Sequence, residues 1–172
     1  GTYQDKIDKS TGKNLLDLNR TLGQPSDTTA SNATKRKFNY NEVVKGISGN
    51  NYYYPQFVTS YNIQNQTISM TTGTTATYSL GFPIKIKANT TYTMSFDKSS
   101  ANARVQVSYY ASDGTYLNYE SKTASFTFTT PSNCDFVLIN FTGIETNTTY
   151  TFTNCILNEG STALPYEPYG TR

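Results

Sequence analysis

Fifteen tyrosines and nine phenylalanines stand in this chain without one tryptophan or histidine, and several tyrosines sit beside amide and guanidinium side chains. Tyr110 follows Arg104, Gln106 and Ser108 at two-residue spacing. Tyr116, Asn118, Tyr119 and Glu120 come just after it, and Tyr52, Tyr53 and Tyr54 form a third group. A tyrosine ring offers an apolar face to the C–H side of a pyranose and a hydroxyl to its polar rim. Exposed tyrosine next to Gln, Asn and Arg is therefore suited to a shallow sugar platform. The residues expected to carry it are Arg104, Gln106 and Tyr110 on one strand face, Tyr119 from the returning strand, and Tyr53. The last is included because consecutive strand residues alternate faces, so the Tyr triplet must expose a ring. The competing expectation at each position is an ordinary tyrosine of high sheet propensity on a polar sandwich surface.

Other chemistry is excluded at the level of composition. With no histidine, Ser-His-Asp and Cys-His arrangements cannot be built, and imidazole metal sites are absent. A glycosidase needs only two carboxylates about 5 to 10 Å apart. However, Asp113 lies in a turn, Glu159 and Glu167 lie near the C-terminal end, and Asp97 closes a strand, none with an apolar pocket signature. No enzyme is expected, and no catalytic residue is assigned. The glycines are scattered singly, without a phosphate-cradling GxxxxGK[ST] or GxGxxG loop.

The charge is +2 from 14 basic and 12 acidic residues, and the one basic cluster, Lys35-Arg36-Lys37, is too small for a nucleic-acid footprint. No stretch approaches the roughly 20 apolar residues of a membrane span, so neither nucleic acid nor membrane is expected as a partner. The first residue is Gly1 rather than Met, and no signal peptide opens the chain, which reads as a fragment cut from a larger polypeptide. Two cysteines do not make a disulfide framework. Cys134 and Cys155 are expected as small buried thiols, with a bond open to them only if their strands are neighbours.

The elements that must position these residues are short β runs. Residues 1–37 are polar and weakly periodic apart from Leu15, Leu16, Leu18 and Leu22, and are expected as a lead-in with one edge strand. Residues 38–172 are expected to form the sandwich, making one domain with that lead-in. Runs are expected at 43–47, 52–59, 67–72, 75–80, 91–96, 104–110, 116–121, 125–129, 136–141 and 149–157. That spacing, with turn residues between, argues an all-β antiparallel β-sandwich.

Period-2 alternation assigns Tyr92, Met94 and Phe96, and also Val105, Val107 and Tyr109, to the core. It assigns Tyr150, Phe152 and Ile156 there too, leaving Thr151, Thr153 and Cys155 opposite. Residues 136–141 are apolar on both faces apart from Asn140, as a central strand requires. Ser112-Asp113-Gly114 supplies a turn that makes a hairpin of its flanking runs.

Two segments carry a resemblance. Gly12-Lys13-Asn14-Leu15-Leu16 opens the domain, and residues 156–169, ILNEGSTALPYEPY, close it with a Gly turn and a doubly Pro-punctuated tail. Both resemble the corresponding segments of carbohydrate-binding-module-like jelly-roll domains in tail and baseplate proteins of phages infecting Gram-positive bacteria. The resemblance covers about residues 12–169, and 91–117 is similar to the central strands of that family.

It implies a non-catalytic module, exposed on the virion, that helps adhesion to host cell-wall polysaccharide beside other baseplate and tail proteins. It also raises a structural Ca²⁺, for which no residues are assigned and no dense acidic loop provides ligands. The alternatives are a structural or protein-interaction module of the baseplate without sugar binding, and an accessory domain of a bacterial surface enzyme. Pro165 and Pro168 fix φ, so the tail is expected as an extended strap whose Tyr166 and Tyr169 pack onto the sandwich.

Overall fold

The computed structural model describes residues 13–18, 52–53, 58–64, 67–72 and 78–170. Among them are ten strands and no helix. These are Tyr52–Tyr53 (β1), Val58–Gln64 (β2), Thr67–Thr72 (β3), Tyr78–Lys85 (β4), Thr91–Lys98 (β5), Ala103–Tyr110 (β6), Tyr116–Lys122 (β7), Phe126–Thr129 (β8), Phe136–Gly143 (β9) and Thr149–Glu159 (β10). The run expected at 43–47, the Lys35-Arg36-Lys37 cluster and most of the 1–37 lead-in lie outside the described residues.

All pairing is antiparallel, in two five-stranded sheets ordered β1-β4-β9-β6-β7 and β2-β3-β10-β5-β8. Without the edge strands β1 and β2, the remaining eight have the interleaved order of a double-sheet jelly roll. Successive strands alternate between sheets except at the β6–β7 hairpin. That hairpin turns where Asp113 accepts a bond from the Thr115 amide at 2.9 Å, with Gly114 at φ 87°.

One apolar cluster fills the space between the sheets. Tyr92, Met94 and Phe96 enter it from β5 and Val105, Val107 and Tyr109 from β6, as alternation requires. Central strand β9 is buried along all eight residues. Burying aliphatic and aromatic side chains here supplies about 1.5–3 kcal/mol each, the main term holding the sheets together. β4 continues through Pro83 to Lys85, further than its run of β-formers suggests. Among the described residues β1 reaches only Leu80 and Gly81, which leaves Pro83 paired with β9 alone, a position where a residue without an N–H is tolerated. At Gly143, a Cβ would fall 2.0 Å from a ring carbon of buried Tyr150, so only glycine lets that ring cross the end of β9.

Three expectations need correction. In β10, Ile156 is buried but does not join the core, whereas Cys155 and Leu157 do. The cause is a bulge between Thr153 and Ile156, with Asn154 at φ 52°; one extra residue inverts the alternation beyond it. The run expected at 52–59 is two pieces, β1 and β2, in different sheets. The strap's tyrosines are only partly covered, Tyr166 and Tyr169 being 36% and 43% exposed, so they tie the strap less than expected.

Backbone bonds to asparagines hold the strap instead. Asn158 donates to the Thr162 carbonyl at 2.9 Å, and Asn14 donates to the Glu167 carbonyl at 2.8 Å. Asn14 also donates to the Cys155 carbonyl at 3.1 Å, and its oxygen accepts from the Leu16 and Leu157 amides at 3.0 and 3.1 Å. Leu15 adds a backbone bond to the Leu157 carbonyl at 2.7 Å, and Leu16 and Leu18 insert into the core. The opening and closing segments thus meet along the second half of β10. Cys134 and Cys155 are free and buried.

Candidate functional site

Pleating sends Val105, Val107 and Tyr109 of β6 inward and Arg104, Gln106, Ser108 and Tyr110 to the opposite face. Pairing with β9 sets Thr142, Asn140, Leu138 and Phe136 directly beside them, and pairing with β7 sets Tyr119 beside Ser108. The predicted residues Arg104, Gln106, Tyr110 and Tyr119 therefore do share one face of one sheet. Its centre is a polar ladder. Gln106 donates to the Ser108 hydroxyl at 3.2 Å, and Asn140 donates to the same hydroxyl at 3.4 Å and to the Leu138 carbonyl at 3.2 Å. Two buried atoms there have no protein partner: Asn140 Oδ1, an acceptor, and Arg104 Nε, a donor.

The expectation of Tyr110 as an exposed stacking ring is corrected, because the residue is 0% exposed. Its ring stacks on Phe136 at 5.1 Å and 7°, and meets Tyr116 edge-on at 5.9 Å. Alternation put the ring on the correct face but could not show that Phe136, 26 positions later, lies beside it, offering an aromatic surface worth more to the ring than water. Tyr119 is 46% exposed and, among the described residues, is the open ring of this face, with Arg104 and Gln106 half-buried. Tyr53 is not brought to them. It lies in β1, its backbone paired with Leu80, at the opposite edge of the sheet from β7. That separation is four strand spacings, about 19 Å.

A second concave feature was not anticipated. β7 and β8, consecutive in the chain, are outermost strands of different sheets, and the sandwich is open along the seam between them. A cleft of about 580 Å³ lies there, lined by Tyr109, Leu117, Asn118 and Glu120 on one side and Thr129, Pro131 and Asn133 on the other. The buried Tyr109 hydroxyl donates to Glu120 Oε2. Burial first, and then that bond, push the phenol far above its usual range, so it stays a donor.

Sequence reading placed Asn118, Tyr119 and Glu120 together. A bulge between Tyr109 and Tyr110 and the pleat of β7 instead pair Asn118 with Tyr109 and Glu120 with Val107, both core-facing, while Tyr119 faces the other way. Alternation within 116–121 was the available signal for this split. Nothing local indicated that Pro131 and Asn133 would form the opposite wall.

Four other carboxylates have ordinary structural partners, whereas Glu167 Oε1 is buried without one. Asp97 accepts from Asn154 at 2.8 Å, Asp135 pairs with Lys85, Glu145 accepts from Asn102 at 2.8 Å, and Glu159 pairs with Lys87 at 3.3 Å. Among the described residues, no three Asp, Glu or Cys side chains converge as metal ligands.

These features define an all-β jelly-roll sandwich with a polar sheet face and a seam cleft. No protein-family model matches the chain, and no curated protein sequence matches it. Among solved structures, the chain is similar to that of accessory secretory proteins 1, 2 and 3 in Streptococcus pneumoniae. The identity is 13% and the TM-score 0.50, over 65% of this chain and 90% of that one. It is also similar to the glycosylation-associated protein (Gap123) complex from Streptococcus agalactiae, at 12% identity and TM-score 0.51. That match covers 63% of this chain but only 41% of the other. A structure described as CBM4 aligns at 21% identity and TM-score 0.45, over 83% of this chain and 98% of that one. At these identities the likeness concerns the fold alone.

Proposed function

We propose that this domain is a non-catalytic carbohydrate-binding module that helps a phage tail or baseplate adhere to host cell-wall polysaccharide. The observation carrying the sugar-binding part is the exposed Tyr119 ring, paired with Ser108 on the face that also bears half-buried Arg104 and Gln106. Ring face and polar groups together suit the apolar side and the hydroxyl rim of a sugar.

The absence of histidine and the engagement of Asp97, Asp135, Glu145 and Glu159 in structural bonds favour a binding rather than a catalytic role. The phage context rests on the resemblance of the opening and closing segments. Single-site affinity is expected to be weak, with avidity among many copies raising it by about 10²–10⁴. A second reading, a baseplate interaction module without sugar binding, is favoured by the aromatic closure of the same face, where Tyr110 and Phe136 are buried against each other.

Fluorescently labelled domain applied to Gram-positive cells, with and without extracted wall polysaccharide as competitor, separates the two. The sugar reading expects competable labelling that falls about tenfold with Gln106→Ala or Tyr119→Ala at an unchanged melting temperature. Labelling that ignores the polysaccharide would transfer the case to the protein-interaction reading.

A further inference from the structure

Among the described residues, Glu120 is the only charged side chain lining the seam cleft. Its Oε2 takes the Tyr109 hydroxyl, and a carboxylate has about four acceptor positions, so most remain for a ligand. Asn118 spends its oxygen on the Tyr119 amide at 2.9 Å, leaving its NH₂ group as donor, and Asn133 stands exposed on the far wall. Leu117 and Pro131 supply apolar surface between these polar groups. A strong acceptor, two amide side chains and apolar walls within about 580 Å³ match what a hydroxyl-rich ring presents around its rim and faces. With one negative and no positive group, the cleft disfavours phosphate- or carboxylate-bearing ligands.

We infer that the seam cleft is a second sugar subsite, separate from the sheet face, which takes a neutral saccharide unit with Glu120 as hydroxyl acceptor and Asn118 and Asn133 as its amide partners. The inference rests on the carbohydrate-binding reading above but concerns different residues, so the two can fail separately.

The test is titration of the isotopically labelled chain with glucose, galactose and N-acetylglucosamine, with glucose 6-phosphate as the anionic control, followed by amide NMR. At least one neutral sugar should shift the side-chain amide signals of Asn118 and Asn133. Glucose 6-phosphate should bind more weakly, and Glu120→Ala should raise Kd about tenfold, as expected for loss of a charged acceptor. Should Glu120→Ala unfold the chain, Asn133→Ala on the exposed turn carries the same expectation. Shifts confined to Gln106 and Tyr119 that survive Asn133→Ala would overturn the cleft while leaving the sheet-face reading intact. Shifts confined to the cleft would uphold the subsite and remove the sheet face. No shift anywhere would overturn both.

Discussion

Asn14 substitutes for a stretch of backbone. Its amide satisfies four main-chain groups at once: the Leu16 and Leu157 N–H groups and the Cys155 and Glu167 carbonyls. It is fully buried, so those groups have no access to bulk water. Asn14→Ala leaves those groups unpartnered, and the expected loss is about 2–4 kcal/mol in urea unfolding at unchanged m-value. A loss below about 0.5 kcal/mol would show that the segments are held by packing of Leu16 and Leu18 instead. This residue also gives the Gly-Lys-Asn-Leu opening and the Pro-Tyr-Glu-Pro-Tyr closing a common physical purpose. The Asn of one motif bonds the carbonyl of the Glu in the other. Each motif was visible in the sequence, but the bond between them spans 153 positions and was not.

The bulge in β10 decides which side chains of the last strand reach the core. Asn154 holds φ 52° while its side chain donates to Asp97 of the neighbouring strand at 2.8 Å. Asparagine tolerates this left-handed conformation, which costs other L-residues about 1–2 kcal/mol. Asn154→Ala is therefore expected to destabilise by about 1–2 kcal/mol, and Asn154→Gly by less, because glycine has no Cβ to strain. Equal melting temperatures for the two variants would rule out backbone strain as the reason for asparagine here. Without the bulge, Ile156 rather than Cys155 would point into the core, as plain alternation predicts for this strand.

Closing the two sheets over their core sets the environment of both thiols. Burial pushes Cys155 up to about 12 and Cys134 up to about 11, from an ordinary 9.0. The unfolded chain releases these protons at lower pH than the folded one. The stabilisation is thus complete below about pH 9 and is lost as pH rises through 11 to 12. The expected fall for Cys155 is on the order of 2 kcal/mol by pH 11. Cys155→Ala should flatten the alkaline branch of melting temperature against pH, and a thiol reagent at pH 8 should leave both cysteines unlabelled until the chain unfolds. Rapid labelling of the native protein would contradict their burial.

At this same scale the division between sequence and structure is plain. Alternation in 91–96 and 104–110, the doubly apolar 136–141 and the Ser112-Asp113-Gly114 turn each express a preference of neighbouring residues, so fold class, most strands and the core faces of β5 and β6 could be read directly. Tertiary structure alone decided that Phe136 buries Tyr110, that Tyr53 and Tyr119 sit at opposite edges of one sheet, and that Glu120 faces Asn133 across a seam. Each of those depends on which distant strands become neighbours. Local periodicity carries a side chain's face but no information about what another part of the chain brings against it.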